Sequence, residues 1–183
     1  FLFINFFKIN KMKSKTNLLL LSLSVLSITF SSCKKEPGCM DPDAMTYNLE
    51  AQKEDGSCVY SHSLALGIWN MNPDCEELNV LGQTIALDEQ LPESIEILGE
   101  GTTTLFIDID GTVVTGEIDV EGSITVEKQT ISIDPGLGVP LDVDIEGDGN
   151  VSLDNTGNMN LKYSFEIPVV GSYSIDCSVE LSK

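Results

Sequence analysis

The chain has 183 residues, of which 29 are acidic and ten are lysines, and its formal net charge is −19. It contains no arginine and a single histidine, so it lacks the guanidinium groups that bind phosphate in two-pronged contacts. A surface this acidic repels phosphate, which excludes nucleic acid as an expected partner. The body is rich in Val, Ile and Leu at regular spacing, which argues against disorder.

The first part of the chain is typical of an export signal. Met12 is the expected start, with residues 1–11 as translated upstream sequence. Lys13 and Lys15 precede a short apolar run that ends in Ser31-Ser32-Cys33. A membrane-spanning helix needs about 20 apolar residues. Between Lys15 and Lys34 there are only eighteen residues, five of them serines. We therefore predict a removable signal peptide ending at residue 32.

The residues before the cysteine resemble the lipobox of bacterial lipoproteins, with Phe30 where Leu is usual. The resemblance implies cleavage before Cys33, lipidation of Cys33 and anchoring in the outer membrane. Residues 33–37 then form a tether. Its Lys34-Lys35-Glu36 is similar to the surface-export tag of Bacteroidota-type lipoproteins, which implies the cell surface in preference to the periplasmic face. The residues after the cut carry six lysines against all 29 acids, a net charge of −23.

Four further cysteines follow Cys33, namely Cys39, Cys58, Cys75 and Cys177. An even set in an exported chain predicts disulfides and leaves no free thiol for catalysis. Four cysteines allow three pairings, and the sequence alone does not choose among them. Local context favours Cys39 with Cys58 and Cys75 with Cys177.

Residues 38–60 have turn formers and no apolar periodicity, which predicts a compact loop stapled by a disulfide. This stretch resembles a short module of Bacteroidota-type exported proteins, written roughly G-C-x-D-x-x-A-x-N-Y-x-x-x-A-x-x-x-D-G-S-C. The matching residues are Gly38, Cys39, Asp41, Ala44, Ala51, Asp55, Gly56, Ser57 and Cys58.

The same module has four side chains that could offer oxygen ligands to calcium: Asp41, Asp43, Asn48 and Asp55. The EF-hand spacing of alternate acids closed by a Glu at position 12 is absent. We therefore expect these side chains to cap turns, and we expect neither a metal nor another cofactor.

From residue 61 to residue 183 the pattern is that of β-strands. Apolar residues alternate with polar ones in short runs, and turn formers separate the runs. Leu64, Leu66 and Ile68 are predicted to begin the first strand. The longest inward row is Met159, Leu161, Tyr163, Phe165 and Ile167, and the last is Tyr173, Ile175, Cys177, Val179 and Leu181. Turns are predicted at Asn72-Pro73, Asp110-Gly111, Glu121-Gly122, Asp134-Pro135-Gly136, Gly147-Asn150 and Asn155-Asn158.

Eight to ten short strands with short connections predict an all-β fold, an antiparallel barrel or, as the alternative, a β-sandwich. The body resembles small lipocalin-like lipoprotein domains. The counterparts are Gly67, Trp69, Cys75, Ile124-Thr125-Val126 with Gln129, Gly147, Gly149, Tyr163 and Cys177. The resemblance implies a barrel whose mouth can hold a small apolar ligand.

The sequence offers few residues for catalysis, and we expect no enzyme. His62 is the only histidine and lies in the linker before the strands. A catalytic histidine needs a positioned partner, so we expect this one to be solvated. Alternating acids are expected on the solvated face, where facing pairs repel and salt would raise stability. They are Asp108, Asp110, Glu117, Asp119, Asp142, Asp144 and Glu146.

Two roles remain open: a structural or protein-interaction module, or a binder of a small apolar ligand. Interior volume discriminates between them. Leu, Ile and Val at nearly every inward position favour a filled core, and hence the interaction module. An interior pocket of about 300 Å³ or more would favour the ligand.

Overall fold

A computed structural model of the protein describes residues 34–80, 82–88, 91–109, 111–133, 141–167 and 169–183. The predicted signal peptide, Cys33, Asp110 and the break at Asp134-Pro135-Gly136 lie outside the described residues. Residues Glu36–Lys183 form one compact unit. Within the described part of the chain, no helix is both long and apolar enough to cross a membrane.

The elements, in chain order, are β1 Pro37–Gly38, β2 Lys53–Glu54, α1 Ser61–Ala65, β3 Gly67–Cys75, β4 Leu78–Val80, β5 Gln83–Ile85, β6 Ser94–Glu100, β7 Thr104–Ile109, β8 Thr112–Ile118, β9 Ser123–Ile133, β10 Leu141–Val151, β11 Thr156–Ile167 and β12 Gly171–Ser182.

Eight antiparallel strands close into a barrel in the order β10-β11-β12-β3-β6-β7-β8-β9. The all-β prediction is confirmed, and the barrel is confirmed over the sandwich. Two short pairs, β1 with β2 and β4 with β5, lie outside the barrel.

The barrel core follows from the two-residue period of the strands. Successive side chains point to opposite faces, so alternating apolar residues fill the interior. Along β12, Ile175, Cys177, Val179 and Leu181 are each at most 3% exposed. The predicted inward rows are confirmed from Met159 to Phe165 in β11 and from Ile175 to Leu181 in β12, whereas Ile167 and Tyr173 are partly exposed and lie outside the core. Each fully buried Leu, Ile or Val contributes about 1.5–3 kcal/mol to stability.

Two predictions at the start of the barrel are wrong. Leu64 belongs to the five-residue helix α1, which precedes the first barrel strand. Asn72-Pro73 is not a turn, because β3 continues through it and Pro73 pairs with Val179 of β12. The ladder of β3 with β6 covers only Gly67–Asn70. Pro73 therefore has a partner strand on one side only, where proline is tolerated.

The predicted turn at Gly147-Asn150 is also wrong, since β10 runs unbroken through Val151. Here the glycines allow neighbouring strands to approach closely, and they do not reverse the chain. A Cβ on Gly147 would lie 2.2 Å from the carbonyl oxygen of Asn160, and one on Gly149 would lie 2.3 Å from that of Asn158. The register of β10 with β9 shifts between Ile145 and Gly147, which is a bulge that bends the barrel wall.

Both favoured disulfides are confirmed. Cys39 is bonded to Cys58, 19 residues apart, and Cys75 to Cys177, 102 residues apart. Cys75 and Cys177 face each other in the β3–β12 ladder, so this bond links two adjacent strands of the barrel. It ties the first barrel strand to the last.

The stapled module contacts one end of the barrel, which we call the helix end because α1 lies there. The hydroxyl of Ser61 donates to the carbonyl of Asp119 in the β8–β9 turn. The methyl group of Met45 lies next to Gly122 in the same turn, where a Cβ would be 2.9 Å from it. Gly122 has a φ of +93°, which favours glycine. The module and the barrel therefore pack as one body.

Candidate functional site

The interior of the barrel is almost completely filled. A cavity of about 30 Å³ remains among apolar side chains, including Met71, Ile95, Leu161 and Tyr163. That volume holds a water molecule or two, whereas ligand pockets measure about 300–1,000 Å³. Tyr163 is 6% exposed, and its burial raises its pKa to about 12. By the volume criterion, the filled core favours the interaction module over the ligand binder.

The helix end of the barrel is closed by Trp69 and its neighbours. Trp69 is fully buried, and its indole N–H donates to the carbonyl of Ala65 in α1 at 2.6 Å. The Nζ of Lys183 lies 4.7 Å from the Trp69 ring centroid. The same Nζ donates to the carbonyl of Leu66 at 2.7 Å and to that of Leu64. This cation therefore fastens the last strand onto the segment before the first.

The single histidine belongs to this closure. His62 lies on α1, and its Nε2 is 3.1 Å from the carbonyl oxygen of Thr104. A Cβ on Gly99 would lie 2.4 Å from that same Nε2, so the imidazole packs against the barrel wall. The expectation of a solvated linker histidine is wrong, because residues 61–65 are a helix docked on the barrel. His62 has a structural contact here.

The calcium candidates of the module lie in local turns. Asp41 accepts from the Asp43 amide at 3.0 Å and from the Tyr60 hydroxyl at 2.7 Å, and the Tyr60 bond, followed by the Asp43 bond, lowers its pKa. Asn48 accepts from the Glu50 amide and Asp55 from the Ser57 amide. These bonds are the turn-capping role expected of such side chains.

A close group of potential metal ligands does occur elsewhere in the module. Among the residues the structure describes, it consists of Cys39, Glu54 and Cys58. Both cysteines are in a disulfide, so neither can supply a thiolate. Glu54 instead accepts from the amides of Met40 and Gly56.

The acids of the barrel wall mostly cap turns or pair with polar groups. Asp108 accepts from the Gly111 amide at 2.7 Å, and Asp119 accepts from the Ser123 amide at 2.8 Å. Asp144 forms an ion pair with Lys128 at 2.9 Å. The hydrogen bond from Lys128, with that from Thr130, lowers the pKa of Asp144. These bonds hold Asp108 and Asp119 at turns and Asp144 in an ion pair.

Facing acids on neighbouring strands, which the sequence analysis expects to repel, occur once in the ladders of the described strands. Elsewhere in these ladders, acids face Ser, Thr, Asn, Lys or apolar residues. The exception is Glu96 of β6, which lies directly opposite Asp108 of β7. Like charges that are directly opposite each other on neighbouring strands repel, and this pair has that arrangement.

Exposed apolar side chains surround that pair on the outer wall. Ile68, Leu98 and Val113 are 66%, 54% and 52% exposed, and Phe106 is partly exposed. We call these four residues the outer apolar patch. Leu98 faces Phe106 directly, while Ile68 and Val113 end the row that contains Glu96 and Asp108.

The patch was not predicted from the sequence, and Val113 at its edge is exposed. The structure buries Val114 instead. A usable signal was present, because two consecutive apolar residues in a strand place one side chain on each face. Ile68-Trp69, Ile97-Leu98, Leu105-Phe106 and Val113-Val114 are such pairs.

A second surface feature is an open groove of about 650 Å³ on the outer wall beside the Cys75–Cys177 disulfide. Lys162 lies among five acids, which are Asp74, Glu76, Glu146, Asp148 and Asp176. It is polar and open, unlike the enclosed apolar pocket expected for a lipocalin-type ligand.

Comparison with known proteins adds no identification. No protein-family model, curated protein or solved structure matches the chain.

Proposed function

We propose that this protein is a lipid-anchored, non-catalytic β-barrel of the outer membrane that acts as a structural or protein-interaction module. The observation that carries the proposal is the filled interior, with a cavity of only about 30 Å³. If the interior formed by the described residues has no space for a ligand, the loops and the outer wall are left for recognition. The outer apolar patch supplies exposed apolar surface of the kind that marks interaction sites.

The proposed lipid anchor is supported by the lipobox-like Ser31-Ser32-Cys33. Lipidation of Cys33 would place the barrel at the membrane surface, and the Lys34-Lys35-Glu36 tether favours the cell surface over the periplasmic face. The module of residues 38–60 then serves as a stapled spacer. Its resemblance to modules of Bacteroidota-type exported proteins, and that of the barrel to lipocalin-like lipoproteins, supports an exported bacterial lipoprotein.

Native mass spectrometry of the protein purified from its own cells tests both parts. We expect an N-terminus at Cys33 with the added mass of acyl chains, two intact disulfides and no bound small molecule. A product that retains residues 12–32 would overturn the anchor. A small apolar molecule that co-purifies in a one-to-one ratio would replace the interaction role with lipocalin-like binding.

A further inference from the structure

The outer apolar patch and the facing acid pair occupy the same place on the barrel. Two neighbouring rows cross strands β3, β6, β7 and β8. One row reads Ile68, Glu96, Asp108 and Val113, and the next places Leu98 beside Phe106. Two carboxylates thus lie between apolar side chains on an exposed face.

This arrangement is unfavourable for the free protein. Like charges directly opposite each other on neighbouring strands destabilise a sheet, and exposed large apolar side chains gain nothing from burial. Elsewhere in the described ladders, acids face neutral or basic residues. The unfavourable pair is therefore a local feature of the patch, where a cation from outside would relieve the repulsion.

We propose that the outer apolar patch docks a segment of a partner protein that presents Lys or Arg among apolar side chains. This proposal rests on the proposed interaction role and locates the interaction at the outer apolar patch. The partner's cation would lie between Glu96 and Asp108, and its apolar side chains would cover Leu98, Phe106 and Ile68. Charge complementarity of this kind fixes orientation, and the apolar contacts supply affinity.

Charge also argues against other occupants. A second copy carries the same excess of acids, with six lysines against 29 acids after Cys33. Two such surfaces repel each other. An anionic membrane surface is repelled in the same way. A basic partner is attracted, and its association weakens as salt increases.

Site-specific photo-cross-linking tests the patch in cells that produce the full chain. The photoreactive residue p-benzoylphenylalanine replaces Leu98 in one variant and Leu153 in the other. Leu153 is a matched control, since it is 50% exposed against 54% for Leu98 and lies in the β10–β11 turn. We expect a discrete product from position 98 only. Its cross-linked peptide, sequenced by mass spectrometry, should contain Lys or Arg flanked by apolar residues.

Removal of the acid pair gives the second measurement. In Glu96→Gln/Asp108→Asn, the yield from position 98 should fall at least fivefold, although the purified variant should melt at a higher temperature. Asp142→Asn/Asp148→Asn removes the same charge from β10, where the acids face Ser132 and Asn160, and should leave the yield unchanged. Equal loss of yield in the two double variants would show attraction by total charge and would overturn the docking site.

Other outcomes overturn it in recognisable ways. A product that joins two copies of this chain would show that a second copy occupies the patch, and one that joins the patch to residues 1–32 would show that this segment does. Either product would overturn the proposed partner protein. Products from position 153 without any from position 98 would overturn the patch and leave the interaction role standing. A ligand found by native mass spectrometry would instead count against the interaction role itself.

Discussion

The two disulfides should differ sharply in what they contribute, and replacing each pair by alanine measures the difference. In the chain-entropy account, a bond that closes 102 residues stabilises by about 4.7 kcal/mol, and one that closes 19 residues by about 3 kcal/mol. The long loop contains most of the barrel, so its entropy is lost only when the whole barrel folds. Cys75→Ala/Cys177→Ala should therefore destabilise the global transition.

Packing adds to this effect at one of the two sites. Cys177 is 2% exposed within the core, so alanine leaves a small void that costs about 1 kcal/mol. The expected loss is about 5–6 kcal/mol, a large fraction of the 5–15 kcal/mol typical of a domain. Cys39→Ala/Cys58→Ala should act locally, because Cys39 and Ala44 are the only buried apolar residues that the structure describes in the module.

Guanidinium unfolding followed by Trp69 fluorescence provides the assay. Trp69 is the only tryptophan and is fully buried in the barrel, so it reports the global transition. With a slope of about 4 kcal/mol per molar guanidinium, the barrel pair should lower the midpoint by about 1.3 M. The module pair should lower it by less than about 0.4 M. A loss of less than about 2 kcal/mol in Cys75→Ala/Cys177→Ala would refute this reasoning. An equal loss of stability in the two double variants would refute it as well.

Three further effects follow from single contacts. Lys183→Met removes the cation over Trp69 and two bonds to carbonyls, and should cost about 1–2 kcal/mol in the same assay. The control Lys53→Met, at an exposed position of the module, should cost less than about 0.5 kcal/mol. Burial raises the pKa of Tyr163 to about 12, above the value of about 10 in the unfolded chain. The neutral side chain therefore contributes fully to the free energy of unfolding below pH 10. Up to about 2.7 kcal/mol of this free energy is lost as the pH rises from 10 to 12. Tyr163→Phe should flatten that part of an alkaline stability profile, and an unchanged slope would contradict it. Raising NaCl from 0.01 to 0.5 M should raise the melting temperature by about 2–4 °C, and by less in Glu96→Gln/Asp108→Asn. A melting temperature independent of salt would contradict the repulsion.

Much of the barrel could be predicted because period-two alternation is a local property. The rows through Ile107, Tyr163 and Val179 were predictable from spacing alone. The failures occurred where a residue type has two structural uses. Gly147-Asp148-Gly149-Asn150 has the composition of a turn, yet its glycines relieve crowding against Asn158 and Asn160. Pro73 has a place in β3 because the neighbouring strand β6 begins only at Ser94, opposite Asn70. Both facts depend on distant strands.

The surface was less predictable than the core, and the reason is again register. Alternation predicts that Asp108 points outward, but not that Glu96 faces it, because cross-strand pairing depends on the length of the turn at residues 101–103. The apolar pairs at residues 97–98 and 105–106 were visible without any pairing. Only their alignment on adjacent strands makes them one patch.

The closed barrel explains why recognition should occur on its wall. Closure removes the free sheet edges of the barrel, so a partner cannot add a strand there without opening the ladder. The interior formed by the described residues has no room for a ligand, and the helix end is closed by Trp69, Lys183 and α1. The proposed interaction role therefore relies on side chains of the loops and the outer wall. At the proposed docking site, apolar contacts would select the place, and the two opposed carboxylates would select the sign of the partner's charge.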